Sequence, residues 1–433
     1  MEAQQVNKYP IYKPSGTDWI GDIPEHWVIS KIKYKFKFTT GFTPPTGNNE
    51  YYNGIHIWIT ISDMNSKYLI DSGTKLSDEA IKTFKPEKTY QGSLLISFKL
   101  SVGKVAFAGS DLFTNEAIIS IAPNQNYDLN FFYYTISQHL LNNAQENIYG
   151  AKLLNQELIK GASILFPPKG EQIAIAQFLD EKTARIDKLI DKKNKLIELL
   201  NEERDAVINQ AVTRGIDPTV KLKPSGIDWL GEIPGHWEVK KLKYVGEIKY
   251  GLGQPPMLLD SGLPLIRATN IEKGKINEND LLFVDPNDVP YQRDPVLKEN
   301  DIIVVRSGAY TGDSAIIPKK FDGAISGYDM VVRVKASNPK YISYCLLSNY
   351  VLINQIFLQR LRAAQPHLNK EQLRESLILL PGLAEQLIIV QHIENEIMRI
   401  DSSIYIIEQE ILLLREYRTS LIAQLVTGKI KVI

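Results

Sequence analysis

Residues 13–34 read KPSGTDWIGDIPEHWVISKIKY, and residues 223–244 read KPSGIDWLGEIPGHWEVKKLKY. Fourteen of the 22 aligned positions are identical. A second pair lies further along: FPPKGEQIAIAQFLDEKTARIDKLI from Phe166, and LLPGLAEQLIIVQHIENEIMRIDSSI from Leu379. Just before each comes an Asn-led turn of helix, NQELI at Asn155 and NKEQL at Asn369. Their offset of 214 also maps Glu171 onto Glu385 and Gln172 onto Gln386. The chain is one unit written twice, each copy a globular module followed by a long helix. A duplicated chain approaches two-fold symmetry and suits a target that is itself in two parts. DNA is such a target, since two-fold readers take paired half-sites at fixed spacing.

The helices carry the plainest physical signal. Ile393, Ile397, Ile400, Ile404, Ile407, Ile411, Leu414, Arg418, Leu421 and Leu425 step by four and three. The same offset gives Leu179, Thr183, Ile186, Ile190, Lys193, Ile197, Leu200, Arg204, Val207 and Ala211 in the first copy. A 3.5-residue period of this length predicts coiled-coil packing, with the two helices antiparallel under a pseudo-two-fold axis. Arg204 and Arg418 occupy equivalent places in the seams. They either set register or face a partner, or they snorkel out to water.

Length and composition narrow the classes. A chain of 433 residues holds two to four domains. No apolar run approaches the ~20 residues that span a bilayer, and the opening MEAQQVNKYPIYKPSG lacks the apolar core of a signal peptide. Cys345 is the only cysteine, which excludes an intrachain disulfide and a thiolate zinc cluster and fits a cytoplasmic location. Fifty Lys and Arg balance 50 Asp and Glu. A zero net charge counts against a stand-alone nucleic-acid binder, less so for a chain whose partners supply the phosphate attraction.

Four segments follow: modules over 1–168 and 216–380, and helices over 169–215 and 381–433. Each module mixes short strands with helices. HIWITI, SLLISF and AIISIA are predicted strands in the first, PLIRATNI and DIIVVRS in the second. KLSDEAIKTF starts a helix with Ser77 as N-cap, and DLNFFYYTISQHLLNNAQE and NPKYISYCLLSNYVLINQIFLQRL are longer apolar-faced helices. The fold class is therefore α+β: two similar α/β modules and two long antiparallel helices in an internal pseudo-two-fold repeat.

The Trp block, the PP-x-x-EQ helix entry and the module–helix–module–helix order resemble the specificity (S) subunit of type I restriction–modification systems. The likeness covers nearly the whole chain. It rests on DWIGDIPEHW, GFTPP before HIWITISDM, and LLNQELIKGASILFPPKGEQIAIAQFLD in the first half. In the second half it rests on DWLGEIPGHW, GLGQPP before PLIRATNI, and HLNKEQLRESLILLPGLAEQLIIVQHI. The second copy departs in two places: LPGLAEQ lacks the second Pro of FPPKGEQ, and GLGQPP is longer than GFTPP. The resemblance implies two target-recognition domains, each reading one half of a bipartite double-stranded DNA site. It implies that the helices fix the spacer and dock two methyltransferase subunits, and with them restriction subunits. S-adenosylmethionine, ATP and Mg are then expected on those partners and no cofactor on this chain.

Candidate contacts follow from the residue types. Lys31, Lys33, Lys35 and Lys37 alternate with Ile32, Tyr34, Phe36 and Phe38, which predicts a strand with one basic face. That face is either a solvated edge blocked by Lys or a phosphate-binding stripe. Lys241, Lys243 and Lys249 repeat it in part. Base reading is expected where the modules differ, in the loops after the Gly–Pro motifs and on the strands that follow. In the first module these are Thr43, Asn48, Asn49, Thr60, Ser62, Asp63 and Lys99; in the second, Gln254, Arg267, Thr269, Asn270, Arg306 and Tyr310. No arginine precedes Arg185, whereas the second module carries Arg267, Arg293, Arg306, Arg333, Arg360, Arg362 and Arg374. Since Arg–guanine is the commonest specific contact, Arg267 or Arg306 is expected to read a guanine in the second half-site. Trp19, Trp27, Trp229, Trp237, His26 and His236 lie in the block common to both copies. Modules that read different sequences share architecture, so these residues are expected to be structural.

Catalytic motifs are missing from the sequence. The Pro-Pro pairs TPPT, FPPK and QPPM do not make the Asn/Asp-Pro-Pro-aromatic motif of an adenine methyltransferase, and no Walker A sequence is present. The chain is expected to be non-catalytic alone. The rival reading is a coiled-coil scaffold that pairs two protein partners without touching DNA; divergence between the modules argues against it.

Overall fold

The computed structural model describes residues 8–99, 101–146, 150, 152–357 and 367–432. Arg360 and Arg362 lie outside them. The chain divides into two compact units: residues 1–192 with 410–433, and residues 193–409. Each unit therefore takes a whole module, the start of the helix that follows it and the end of the other long helix.

In the first unit, a five-stranded sheet runs Phe38–Thr40, Ile118–Ile121, Leu94–Ser97, Val105–Ala108, Tyr68–Leu69. A three-stranded sheet sets His56–Ile59 between Phe113–Thr114 and Lys75–Leu76. Every residue of Leu94–Ser97 and Ile118–Ile121 is buried, as the apolar runs predict. Ser77 caps Asp78–Phe84 by accepting from the Ala80 N–H at 3.2 Å, and Asp128 caps Leu129–Leu141.

In the second unit, Gly246–Tyr250, Met330–Val334, Ile302–Val304 and Ser314–Ile316 form an antiparallel sheet. A second sheet pairs Leu263–Ile266 in parallel with Ile325–Ser326, as His56–Ile59 pairs with Phe113–Thr114. The two modules share this topology. The longer helix expected in the second module is interrupted at Ser348: Pro339–Leu347, capped by Asn338, is followed by Asn349–Val351 and a π-helical turn over Leu352–Phe357, and residues 358–361 of the run lie outside the described ones.

The Lys31–Phe38 strand is not formed. Val28–Lys31 is a strand paired with Ser163–Phe166, Ile32–Lys35 is one helical turn, and Phe38–Thr40 begins a new strand. Alternation is overridden by an i, i+4 pair: Ile32 and Phe36 are both buried, and the Phe36 N–H bonds to the Ile32 carbonyl at 2.9 Å. Tyr34, placed on the apolar face by alternation, is 72% exposed.

The long helices span Lys169–Arg214 and Leu383–Val426. Every seam position on both helices is buried or partly buried. Within the second unit, Arg204 is ion-paired with Asp401, and Arg399 meets Glu203 at 2.7 Å. His392, nine residues before Asp401, lines the same cleft as Val207 and Ala211, so the two segments run antiparallel. Within the first unit, Arg418 meets Asp187 at 2.9 Å. Asp187 and Asp401 are themselves 214 apart, so the seam arginines make one register pair, once in each unit.

The repeated blocks anchor modules to helices. Trp27 and Trp237 are both 0% exposed. The Trp27 indole N–H donates to Glu171 at 3.0 Å and that of Trp237 to Glu385 at 3.0 Å. His26 meets Glu171 at 2.6 Å and His236 meets Glu385 at 2.7 Å. The neighbouring glutamines do the rest. Gln172 donates to the Pro167 carbonyl and accepts from the Asp128 N–H; Gln386 donates to Pro381 and accepts from the Asn338 N–H. The EQ dipeptide thus fastens the Trp block and the late helix of its module to one helix end. Core residues Ile208, Ala211 and Val212 from one long helix and Ile389, Val390 and Ile393 from the other pack with Trp237, Tyr341 and Ile378. Trp19 and Trp229 are exposed, and Trp19 meets the buried His139 edge-on at 4.9 Å.

Candidate nucleic-acid interface

The Gly–Pro motifs sit where the two sheets of a module meet. A Cβ on Gly41 would fall 2.0 Å from the Thr114 carbonyl oxygen, and one on Gly251 would fall 2.0 Å from that of Gly327. Only glycine permits this approach. It lets the Phe42 N–H reach Thr114 at 2.8 Å and the Leu252 N–H reach Ser326 at 3.2 Å. The chain then leaves the sheet, with Pro44 and Pro256 buried and Pro45 and Pro255 exposed. In the first module the Thr43 hydroxyl donates to Glu116, and Asn48 caps a 3₁₀ turn by accepting from the Glu50 N–H at 3.0 Å. Asn49 and Gln254 are exposed on these loops.

The strands that follow end in matching 3₁₀ turns. Asp63 accepts from the Thr60 N–H at 2.8 Å and hydroxyl at 2.7 Å. Asn270 accepts from the Arg267 N–H at 3.2 Å. Partial burial raises the Asp63 pKa, but the bonds from Thr60 and Gly73 outweigh it and hold the carboxyl below its ordinary range. Asn270 is 0% exposed and donates to the carbonyls of Asn277 and Asn279. Its amide is therefore spent inside its own loop and presents no edge to a base. Asp63 and Asn270 are one turn-closing position in two copies, which their different identities conceal in the sequence. Ser62 bonds to Thr60 at 2.7 Å; Ser62 and Thr269 are exposed.

The basic candidates have separate fates. Lys31, Lys33 and Lys35 are exposed around the helical turn; Lys31 donates to Ser163 at 3.0 Å, and Lys33 and Lys35 lie over Tyr34 and Phe166. Lys241 and Lys243 both grip Glu375, at 2.5 and 2.6 Å. The two ammonium groups pull that carboxyl down to about 2. Lys99 is exposed beside Phe98. Arg267 donates to the Asp280 carbonyl at 3.0 Å, which turns it onto its own loop.

Arg306 is the most organised candidate. Its guanidinium carbon lies 4.5 Å from the ring centre of Tyr250 and 4.3 Å from that of Tyr328. Nη2 meets His367 Nε2 at 3.2 Å. The Arg306 N–H donates to Asp329 at 3.2 Å. Burial raises the Asp329 pKa against that bond and the pull of the Arg306 charge. Tyr250 is fixed in turn by the Lys370 N–H, which donates to its hydroxyl at 2.8 Å. Tyr310 is 61% exposed on the next loop. Tyr250, Tyr328 and His367 were not legible as a site, because they lie far apart in sequence and converge only through the sheet. The hint for Tyr250 was its place beside the Gly–Pro motif.

The model of the type I restriction modification DNA specificity domain family matches residues 24–199 and again residues 234–411. The type I restriction enzyme MjaIX specificity subunit of Methanocaldococcus jannaschii is 25% identical over 425 residues, 95% of each chain. The EcoBI specificity subunit of Escherichia coli is 25% identical over 72% of this chain and 68% of its own. A chain solved in a study of complex assembly and conformational transition of the type I R-M system superposes with a TM-score of 0.71 at 13% identity, covering 93% of this chain and 98% of that one. The HsdS subunit of Thermoanaerobacter tengcongensis gives 0.55 at 14% identity, covering 94% and 98%. These structures share the fold, and nothing among the comparisons supports the scaffold alternative. With two copies of its domain on one repeated framework, the chain belongs to the type I restriction–modification DNA specificity family.

Proposed function

We propose that each module reads one half of a split DNA site and that the two long helices set the gap between the halves. The observation that carries this reading is the contrast within the repeat. The Trp–His–Glu anchors, the Gln ties and the Arg–Asp register pairs recur at fixed offsets, while the loops after the Gly–Pro motifs differ in length and chemistry. A scaffold for two equal partners has no reason to diversify its heads; a reader of two half-sites does. The common elements, present twice, suit two identical methyltransferase subunits, with restriction subunits joining through them. S-adenosylmethionine, ATP and Mg belong on those partners. This chain supplies binding and alignment, and phosphate contacts from Lys31, Lys33, Lys35 and Lys99 would position the duplex without reading it.

The test is methylation mapping. The chain is co-expressed with the methyltransferase subunit encoded beside it, and host DNA is sequenced for N6-methyladenine. A split motif with methylated adenines in both halves around a fixed gap is the expected result. A stable complex that leaves the DNA unmethylated would overturn the reading.

A further inference from the structure

We infer that Arg306, clamped between Tyr250 and Tyr328, is the residue that demands a guanine in the half-site read by the second module. The inference rests on the split-site reading above and deepens it to one base. A free arginine has several rotatable bonds to freeze on binding. Here two tyrosine rings lie against the guanidinium, their centres 4.5 and 4.3 Å from its central carbon, so part of that ordering has already been done by the fold. The clamp stays at the surface: Tyr250 and Tyr328 are 40% and 45% exposed.

The donors are left incompletely used. Nη2 meets His367 and Nε is buried behind the fork, whereas Nη1 makes no hydrogen bond among the described residues. A positively charged, planar group with an unfinished hydrogen-bond set calls for a ligand with two acceptors in its plane. The O6 and N7 edge of guanine is that ligand in the major groove. Phosphate also accepts a bidentate arginine fork; the two ligands differ in readout, since a guanine contact moves one position of the motif and a phosphate contact weakens all sequences alike. Arg267 lacks the ring clamp among the described residues, and its guanidinium is turned onto the Asp280 carbonyl of its own loop. His367 acts through Arg306 and is a positioning residue, as are the two tyrosines. In the first module the corresponding strand Leu94–Ser97 runs into Phe98, so the arginine clamp is not repeated there.

Methylation mapping with the co-expressed methyltransferase subunit tests this position by position. The wild-type motif should contain a guanine in one half. Arg306→Gln should relax that position alone, raising methylation at non-guanine sites relative to guanine sites by about 5- to 150-fold, with the other half unchanged. Arg306→Lys keeps a cation between the rings and loses the fork; it should relax the same position, and it serves if the Gln variant fails to fold. Tyr328→Ala should weaken preference at that base and nowhere else, which a general loss of stability would not do. An unchanged motif, or a fall that is uniform across all sites as a phosphate contact gives, overturns the assignment of Arg306. Absence of any wild-type motif overturns the split-site reading itself and this inference with it.

Discussion

At the scale of single residues, burial decides what a side chain can do. His139 is buried under Trp19 with Nδ1 unpaired, and burial pushes its pKa down to about 4 against a hydrogen bond with the Ser163 backbone. The unfolded chain takes up this proton near pH 6.5 and the folded chain does not. The contribution is therefore complete above about pH 6.5 and is lost as pH falls from there towards 4. Urea unfolding should show about 2 kcal/mol less stability at pH 5 than at pH 7 from this group, and His139→Phe should remove that part of the slope. Trp27 and Trp237 give a second test. Glu171→Ala or Glu385→Ala leaves a buried indole N–H unpaired, and each should cost about 1–3 kcal/mol in denaturant unfolding. A neutral result in both would mean that the repeated Trp–Glu bond holds nothing.

At the scale of elements, the seam arginines show how an apolar stripe acquires register. An all-apolar seam packs in several registers of similar energy, whereas a single polar pair satisfies only one. Arg204–Asp401 and Arg418–Asp187 are the same pair in the two units. Asp401→Ala strands a half-buried guanidinium and should destabilise its unit by about 1–3 kcal/mol. Arg204→Leu combined with Asp401→Leu should recover that loss while relaxing register. A double variant no more stable than Asp401→Ala would remove the register role. The sequence exposed this element almost completely, because a 3.5-residue period and a 214-residue offset are one-dimensional patterns. It misread Lys31–Phe38 for the opposite reason. An alternating stretch fits a strand as long as nothing else competes, and here the Ile32–Phe36 pair docks on the module and turns the backbone into a helix.

At the scale of the whole molecule, the proposed spacer role is a statement about length. The long helices of 46 and 44 residues rise 1.5 Å per residue. Inserting four residues near the middle of the first long helix adds about 6 Å and roughly one turn, which keeps the seam facing its partner. The tolerated gap in the methylated motif should lengthen by one or two base pairs, at about 3.4 Å each. An unchanged gap in a complex that still methylates would sink the spacer role. By itself the sequence determined the duplication, the two helices, their seams, the N-caps and the division into framework and variable loops, since each is set by spacing along the chain or by local hydrogen bonding. Tertiary structure alone decided which polar residues remain available. Asp63 and Asn270 were drawn inward to close turns, Lys241 and Lys243 onto Glu375, and Arg267 onto a carbonyl, while Tyr250, Tyr328 and His367 gathered around Arg306. The physical reason is that a hydrogen bond or a ring contact depends on distance in space. Residues brought together by sheet topology leave no trace of that meeting in their order.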